Sequence, residues 1–112
     1  MQALLDFSKS CKSYSFVELF KDCIALKSIQ NLTIKASILQ EHCYENMFAG
    51  CSNLIGISND LLSATTLANY CYSYMFKDCK SLKQAPLLSS TSLADGCYYG
   101  MFKGCISLTQ AP

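Results

Sequence analysis

The sequence predicts an α/β solenoid: a right-handed superhelix of about four coils, each a short parallel strand followed by a short helix. Three observations predict it. The phrases CYENMFAGC, CYSYMFKDC and CYYGMFKGC begin at Cys43, Cys71 and Cys97. The phenylalanine before each second cysteine recurs as Phe20, Phe48, Phe76 and Phe102, in steps of 28, 28 and 26 residues. Steps of this size are the period of stacked coils. Flanking apolar columns keep the same register: Leu39, Leu67 and Leu93 upstream, then Leu26, Leu54, Leu82 and Leu108 downstream, then Ile29, Ile57, Ala85 and Ala111.

Residues 1–25 read as a degenerate N-terminal coil. Cys11 falls in the Leu39 column, Ser15 in the Cys43 column and Leu19 in the Met47 column. End coils have one neighbour and drift from the consensus. The rest, 26–112, divides into leucine-rich strand-loop-helix units near 26–53, 54–81 and 82–107, with 108–112 a truncated unit. The shorter "APLLSSTSL" replaces "ISNDLLSATTL" between two units, which marks a connecting loop. No polar closing coil follows "LTQAP", so the chain is expected to be a piece of a longer array.

Leu67, Cys71, Met75 and Cys79 are spaced by four, and Phe76 widens the stripe. Such a one-sided stripe predicts a short amphipathic helix. Thr66 and Ser92 stand where a helix cap would, and Ser92 with Asp95 resembles a capping box. Asp22, Gly50, Asp78 and Gly104 precede the second cysteines; these types tolerate the left-handed conformation that closes a helix. Gly96 and Gly100 shorten the last helix. After the stop, "LKQAPL" predicts the strand, with Leu82, Ala85 and Leu87 on an L-x-x-L-x-L skeleton. Pro86 and Pro112 lack a strand donor, so the ladder is expected to be short there.

Eight cysteines admit a disulfide framework, a metal site or a thiol-lined core. Zinc ligands come in close C-x₂₋₄-C pairs, whereas the spacing here is C-x₇-C, and His42 is the only histidine. Pairing within a unit would span about 12 Å of helical rise. Pairing between units leaves the column Cys43, Cys71, Cys97 incomplete and breaks the equivalence of Cys23, Cys51, Cys79 and Cys105. Reduced, buried thiols need neither device, since cysteine is small and among the most buried types. Met47, Met75, Met101 and the four phenylalanines join that core. Tyr44, Tyr72 and Tyr98 are expected to pack between coils with the hydroxyl at the boundary; a ligand-binding aromatic row is the alternative.

The run "TSLADGCYYGMFKGCISLTQAP" resembles the repeat of about 26 residues found in BspA-like leucine-rich-repeat surface proteins. Cys71–Pro86 and Cys97–Pro112 match the motif C-Y-x-x-M-F-x-G-C-x-S-L-x-x-A-P best. Cys43–Ile57 matches with Ile57 in place of Ala and without the Pro; before Leu39 only the Phe, Cys and Leu columns match. "PLLSSTSLA" departs from the family, which carries an acidic residue and a second Pro there. The resemblance implies a cell-surface or secreted protein used for adhesion or partner binding, and not an enzyme.

With nine Lys, no Arg and a net charge of +1, no basic stripe points to nucleic acid. No apolar run approaches the ~20 residues of a membrane span, and the opening "MQALLDFSKSC" lacks a signal peptide's basic start. No G-x-S-x-G elbow or phosphate-cradling loop is present. No cofactor is therefore expected. The outward strand positions are Ser28 and Gln30, Gly56 and Ser58, Gln84 and Pro86, Gln110 and Pro112. They would line a concave sheet face, the usual binding surface of such proteins. The partner-binding candidates are Gln30, Gln84, Gln110, Ser28 and Ser58, toward a protein or glycan, with further repeats of the same chain as neighbours. Two other readings remain: an intracellular protein–protein scaffold of the same fold, and a thiol-based metal or redox protein. Asn31-Leu32-Thr33 also fits a glycosylation acceptor.

Overall fold

The structure, a computed structural model, describes residues 17–30, 32, 34, 39–58, 61, 62, 64, 66–88, 90 and 93–109. In it the repeated phrase bonds differently from an α-helix. The N–H groups of Cys43, Glu45, Met47, Ala49 and Cys51 donate three residues back, to Gln40, His42, Tyr44, Asn46 and Phe48. The alternate N–H groups leave the phrase. His42, Tyr44, Asn46, Phe48 and Gly50 donate to Asn69, Cys71, Ser73, Met75 and Lys77 at 2.7–3.1 Å. Every fourth residue is left-handed: His42, Asn46 and Gly50 have φ of 57°, 58° and 78°.

An α-helix sends each N–H to the carbonyl four residues back and rarely admits a left-handed residue. The phrase is instead a run of tight turns, with every other donor committed to the following phrase. Among the described residues there is no helix. Two strands occur, β1 (Ser28–Ile29) and β2 (Gly56–Ile57), paired in parallel with Ser28 opposite Gly56 and Ile29 opposite Ile57. An isolated parallel bridge joins Ile34 and Leu62.

This overturns the expected fold class. The chain is not an α/β solenoid, and no leucine-rich-repeat superhelix of strand-plus-helix coils forms. The described part has no helix and two strands of two residues each. Its extents are 29 × 28 × 21 Å with a radius of gyration of 12.5 Å, a compact body. The physical reason lies in the spacing: a stripe every four residues fits a turn repeating every four as well as it fits a 3.6-residue helix. No helix exists for Thr66 to cap, and Ser92 lies outside the described residues. Gly96 and Gly100 do not shorten a helix; their φ values of 63° and 59° match those of Tyr70 and Tyr74 at 58° and 55° in the preceding phrase.

The phrases nevertheless lie face to face. The Phe20, Phe48, Phe76 and Phe102 rings stack with centroids 5.4, 5.5 and 5.9 Å apart and planes within 7° of parallel. Tyr44, Tyr72 and Tyr98 stack at 5.9 and 6.0 Å. Met47, Met75, Met101, Leu54 and Leu82 complete the interior. The Tyr44 and Tyr72 rings are wholly interior, so they form no ligand-binding row. Four positions depart from the columns: Leu19, Leu93 and Leu87, expected inward, are 44%, 64% and 61% exposed, and Pro86, expected outward, is buried. Alternation cannot propagate along strands of two residues. Cys11, Ser15 and the truncated unit's last three residues fall outside the described residues.

Candidate functional site

Beside β2 lies a groove of about 390 Å³, lined by Gln30, Ile55, Gly56, Ile57, Lys83, Gln84 and Thr109. Short backbone links build it. Ile55 and Gly56 N–H both donate to the Lys27 carbonyl, at 2.9 and 3.3 Å. Thr109 binds the Lys83 carbonyl through both its N–H and its Oγ1, each at 3.0 Å. Gln30 turns out of β1 with its N–H on Ser28 Oγ at 3.3 Å. Gly56 leaves room for it, because an added Cβ would lie 2.9 Å from Ser28 Oγ and 3.3 Å from Gln30 Cδ.

Of the residues chosen from sequence, the groove brings together Gln30 and Gln84. Ser28 and Ser58 lie outside its lining, and Gln110 is outside the described residues. Sequence reasoning missed Ile55, Lys83 and Thr109. All three occupy one column, two residues before Ile57, Ala85 and Ala111. Strict strand alternation puts that column on the core side, yet Ile55, Lys83 and Thr109 are exposed. The chemistry available is two primary amides, an ammonium and a hydroxyl beside Ile55 and Ile57, suited to hydrogen bonding.

A second polar cluster centres on Glu45. His42 Nδ1 lies 2.9 Å from Glu45 Oε1, and buried Ser73 donates from Oγ to Glu45 Oε2 at 2.8 Å. The His42 ring stacks on Tyr70 at 5.2 Å. Nucleophilic catalysis needs histidine against the serine hydroxyl, with the carboxylate behind it. Here the carboxylate stands between the two. The cluster ties one phrase to the next.

The seven described cysteines are free thiols, five of them buried and Cys23 and Cys105 half-buried. The second-column thiols share a role. Cys51, Cys79 and Cys105 each donate from Sγ to the carbonyl of the preceding phrase's phenylalanine, Phe20, Phe48 and Phe76, at 3.1, 3.1 and 3.0 Å. Among the described residues no group of three or more His, Cys, Asp or Glu could hold a metal ion. Among them, too, no helix is long and apolar enough to cross a membrane.

Burial pushes the Cys51 and Cys71 thiols from the ordinary 9.0 up to about 11, and drives Cys79 upward as well. A folded value above the unfolded one means the folded state holds its proton longer. These thiols should therefore leave stability unchanged below about pH 9 and lower it as pH rises from about 9 to 11. Denaturant midpoints across that window check this; a flat profile from pH 8 to 11 would contradict it. No family model, curated protein or solved structure matches the chain.

Proposed function

We propose that the chain is a non-catalytic binding module that takes an extended peptide segment of a protein partner along the groove beside β2. The carrying observation is that Gln30, Gln84, Lys83 and Thr109 converge around Ile55 and Ile57. Amides and hydroxyls that both donate and accept suit a peptide backbone, and the isoleucines supply apolar contact. The lining holds no aromatic ring on which a sugar would stack, so a glycan partner ranks second. The likeness of the phrase to BspA-like repeats supports adhesion at a cell surface. The free thiols favour a second setting, an intracellular scaffold in a reducing compartment, using the same groove.

Immobilised peptide and oligosaccharide libraries test this, with affinities of hits measured by calorimetry. A peptide should bind, and Gln30→Ala with Gln84→Ala should weaken it at least ten-fold, on the order of 1 kcal/mol per lost hydrogen bond. Oligosaccharides bound in preference to peptides would change the partner class. Equal affinity in wild type and double variant would remove the groove from the function.

A further inference from the structure

The segments that follow the phrases are joined by the same backbone bond at two of their three junctions. At the first, the Ile55 and Gly56 N–H groups donate to the Lys27 carbonyl. At the third, the Thr109 N–H donates to the Lys83 carbonyl. Lys27, Ile55, Lys83 and Thr109 share one column, so the middle junction should bring the Lys83 or Gln84 N–H to the Ile55 carbonyl. It does not. Among the described residues neither N–H meets a backbone acceptor, and the Ile55 carbonyl meets no backbone donor. The ladder is not recovered further along, because Pro86 stands in the Ser58 column without an N–H. The gap is interior to the chain, with a formed junction on either side. The groove opens over it, with Ile55, Lys83 and Gln84 in its lining.

Charge is as uneven as the bonding. Residues 24–30, 52–58, 80–88 and 106–109 carry Lys27, Lys80 and Lys83 and no Asp or Glu. The described carboxylates, Glu18, Asp22, Glu41, Glu45, Asp78 and Asp95, all belong to the phrases and the turns that lead into them. Of the lysines only Lys83 lines the groove, and among the described residues no carboxylate lies within ion-pair distance of it. Its backbone is held from the far side by Thr109, through both N–H and Oγ1 at 3.0 Å. The ammonium therefore stands on an anchored segment.

We infer that the peptide taken by this groove is acidic: an internal Asp or Glu sets its carboxylate on the Lys83 ammonium, while the peptide backbone answers the open Ile55 carbonyl and Lys83 N–H. This rests on the peptide reading of the groove. A carboxylate supplies the one charge that the lining lacks, and charge-assisted hydrogen bonds are the stronger kind. An extended backbone supplies a donor and an acceptor together, as in strand addition. In segment order Lys83 stands between Gln30 and Ile55 on one side and Thr109 on the other. A chain running the length of the groove passes Lys83 and meets it with a side chain, not with its end.

An array of N-acetylated, C-amidated nonapeptides with Asp, Glu, Asn or Gln fixed at the centre tests this, with free-acid versions of the same peptides as a second arm. The best acidic peptide should weaken about three- to ten-fold when its central residue becomes the amide. Lys83→Gln should erase that difference. Lys80→Gln, which removes the same charge from an exposed site outside the lining, should keep it. Unreactive Cys51 and Cys79 thiols establish that both variants are folded. Acidic and amide peptides bound equally by the wild type, with Gln30→Ala and Gln84→Ala still weakening both, would overturn the acidic partner and leave the groove reading standing. No peptide bound at any composition would overturn both. A Lys83 dependence confined to free-acid peptides, or a preference lost equally in Lys80→Gln, would also overturn the inference, the first in favour of a chain terminus and the second in favour of net charge.

Discussion

Phe76→Ala is expected to lower stability by about 3–5 kcal/mol, the cost of emptying a large aromatic site in a core that cannot collapse. Its ring lies between Phe48 at 5.5 Å and Phe102 at 5.9 Å, and none of it is exposed. The site cannot relax easily, because its backbone N–H and carbonyl are both tied to the following phrase. Phe76 N–H donates to Met101, and its carbonyl accepts the Cys105 thiol. Phe20 occupies the same column and is only partly buried. Phe20→Ala is accordingly expected to cost only about 1–2 kcal/mol. Urea denaturation of both variants separates the cases; equal losses would mean that the ring column is not the interior that the geometry describes.

Gly50→Ala should be the most disruptive small substitution, with a loss of roughly 2–4 kcal/mol from two separable causes. Its φ of 78° is a conformation that a Cβ opposes. The same Cβ would collide with Asp22 Oδ1 and lie 3.3 Å from the Asp22 Cα, which is backbone and cannot swing aside. A double-mutant cycle with Asp22→Gly resolves the two. Removing the aspartate should recover the collision but not the dihedral strain, leaving about 1–2 kcal/mol of loss. Strict additivity of the two substitutions would show that the phrases do not touch at this column.

Part of the molecule was legible in its letters. A ring or thiol recurring in one column needs the same environment each time, so Phe48, Phe76, Cys51 and Cys79 all reach the interior. The left-handed positions were half legible. Asp22, Gly50, Asp78 and Gly104 were expected there as helix stops and do have φ of 60–79°. Of the further left-handed residues, Asn46 and His42 are types that tolerate that conformation, whereas Glu18, Tyr70 and Tyr74 carried no such signal, because glutamate and tyrosine are poor formers of it. Only the bonds to the neighbouring phrase hold them there. The groove was half legible for a related reason: Gln30 and Gln84 were found by alternation, while Ile55, Lys83 and Thr109 were hidden by it.

What the sequence alone determined is which side chains are neighbours: residues a period apart bear the same shape, and like shapes stack. What the tertiary structure alone decided is the backbone between them. A four-residue spacing of apolar side chains does not say where an N–H donates, within its own segment or across to the next one. That choice depends on whether a second phrase lies alongside to accept the bond. Here one does, and the helix that the spacing suggested gives way to turns.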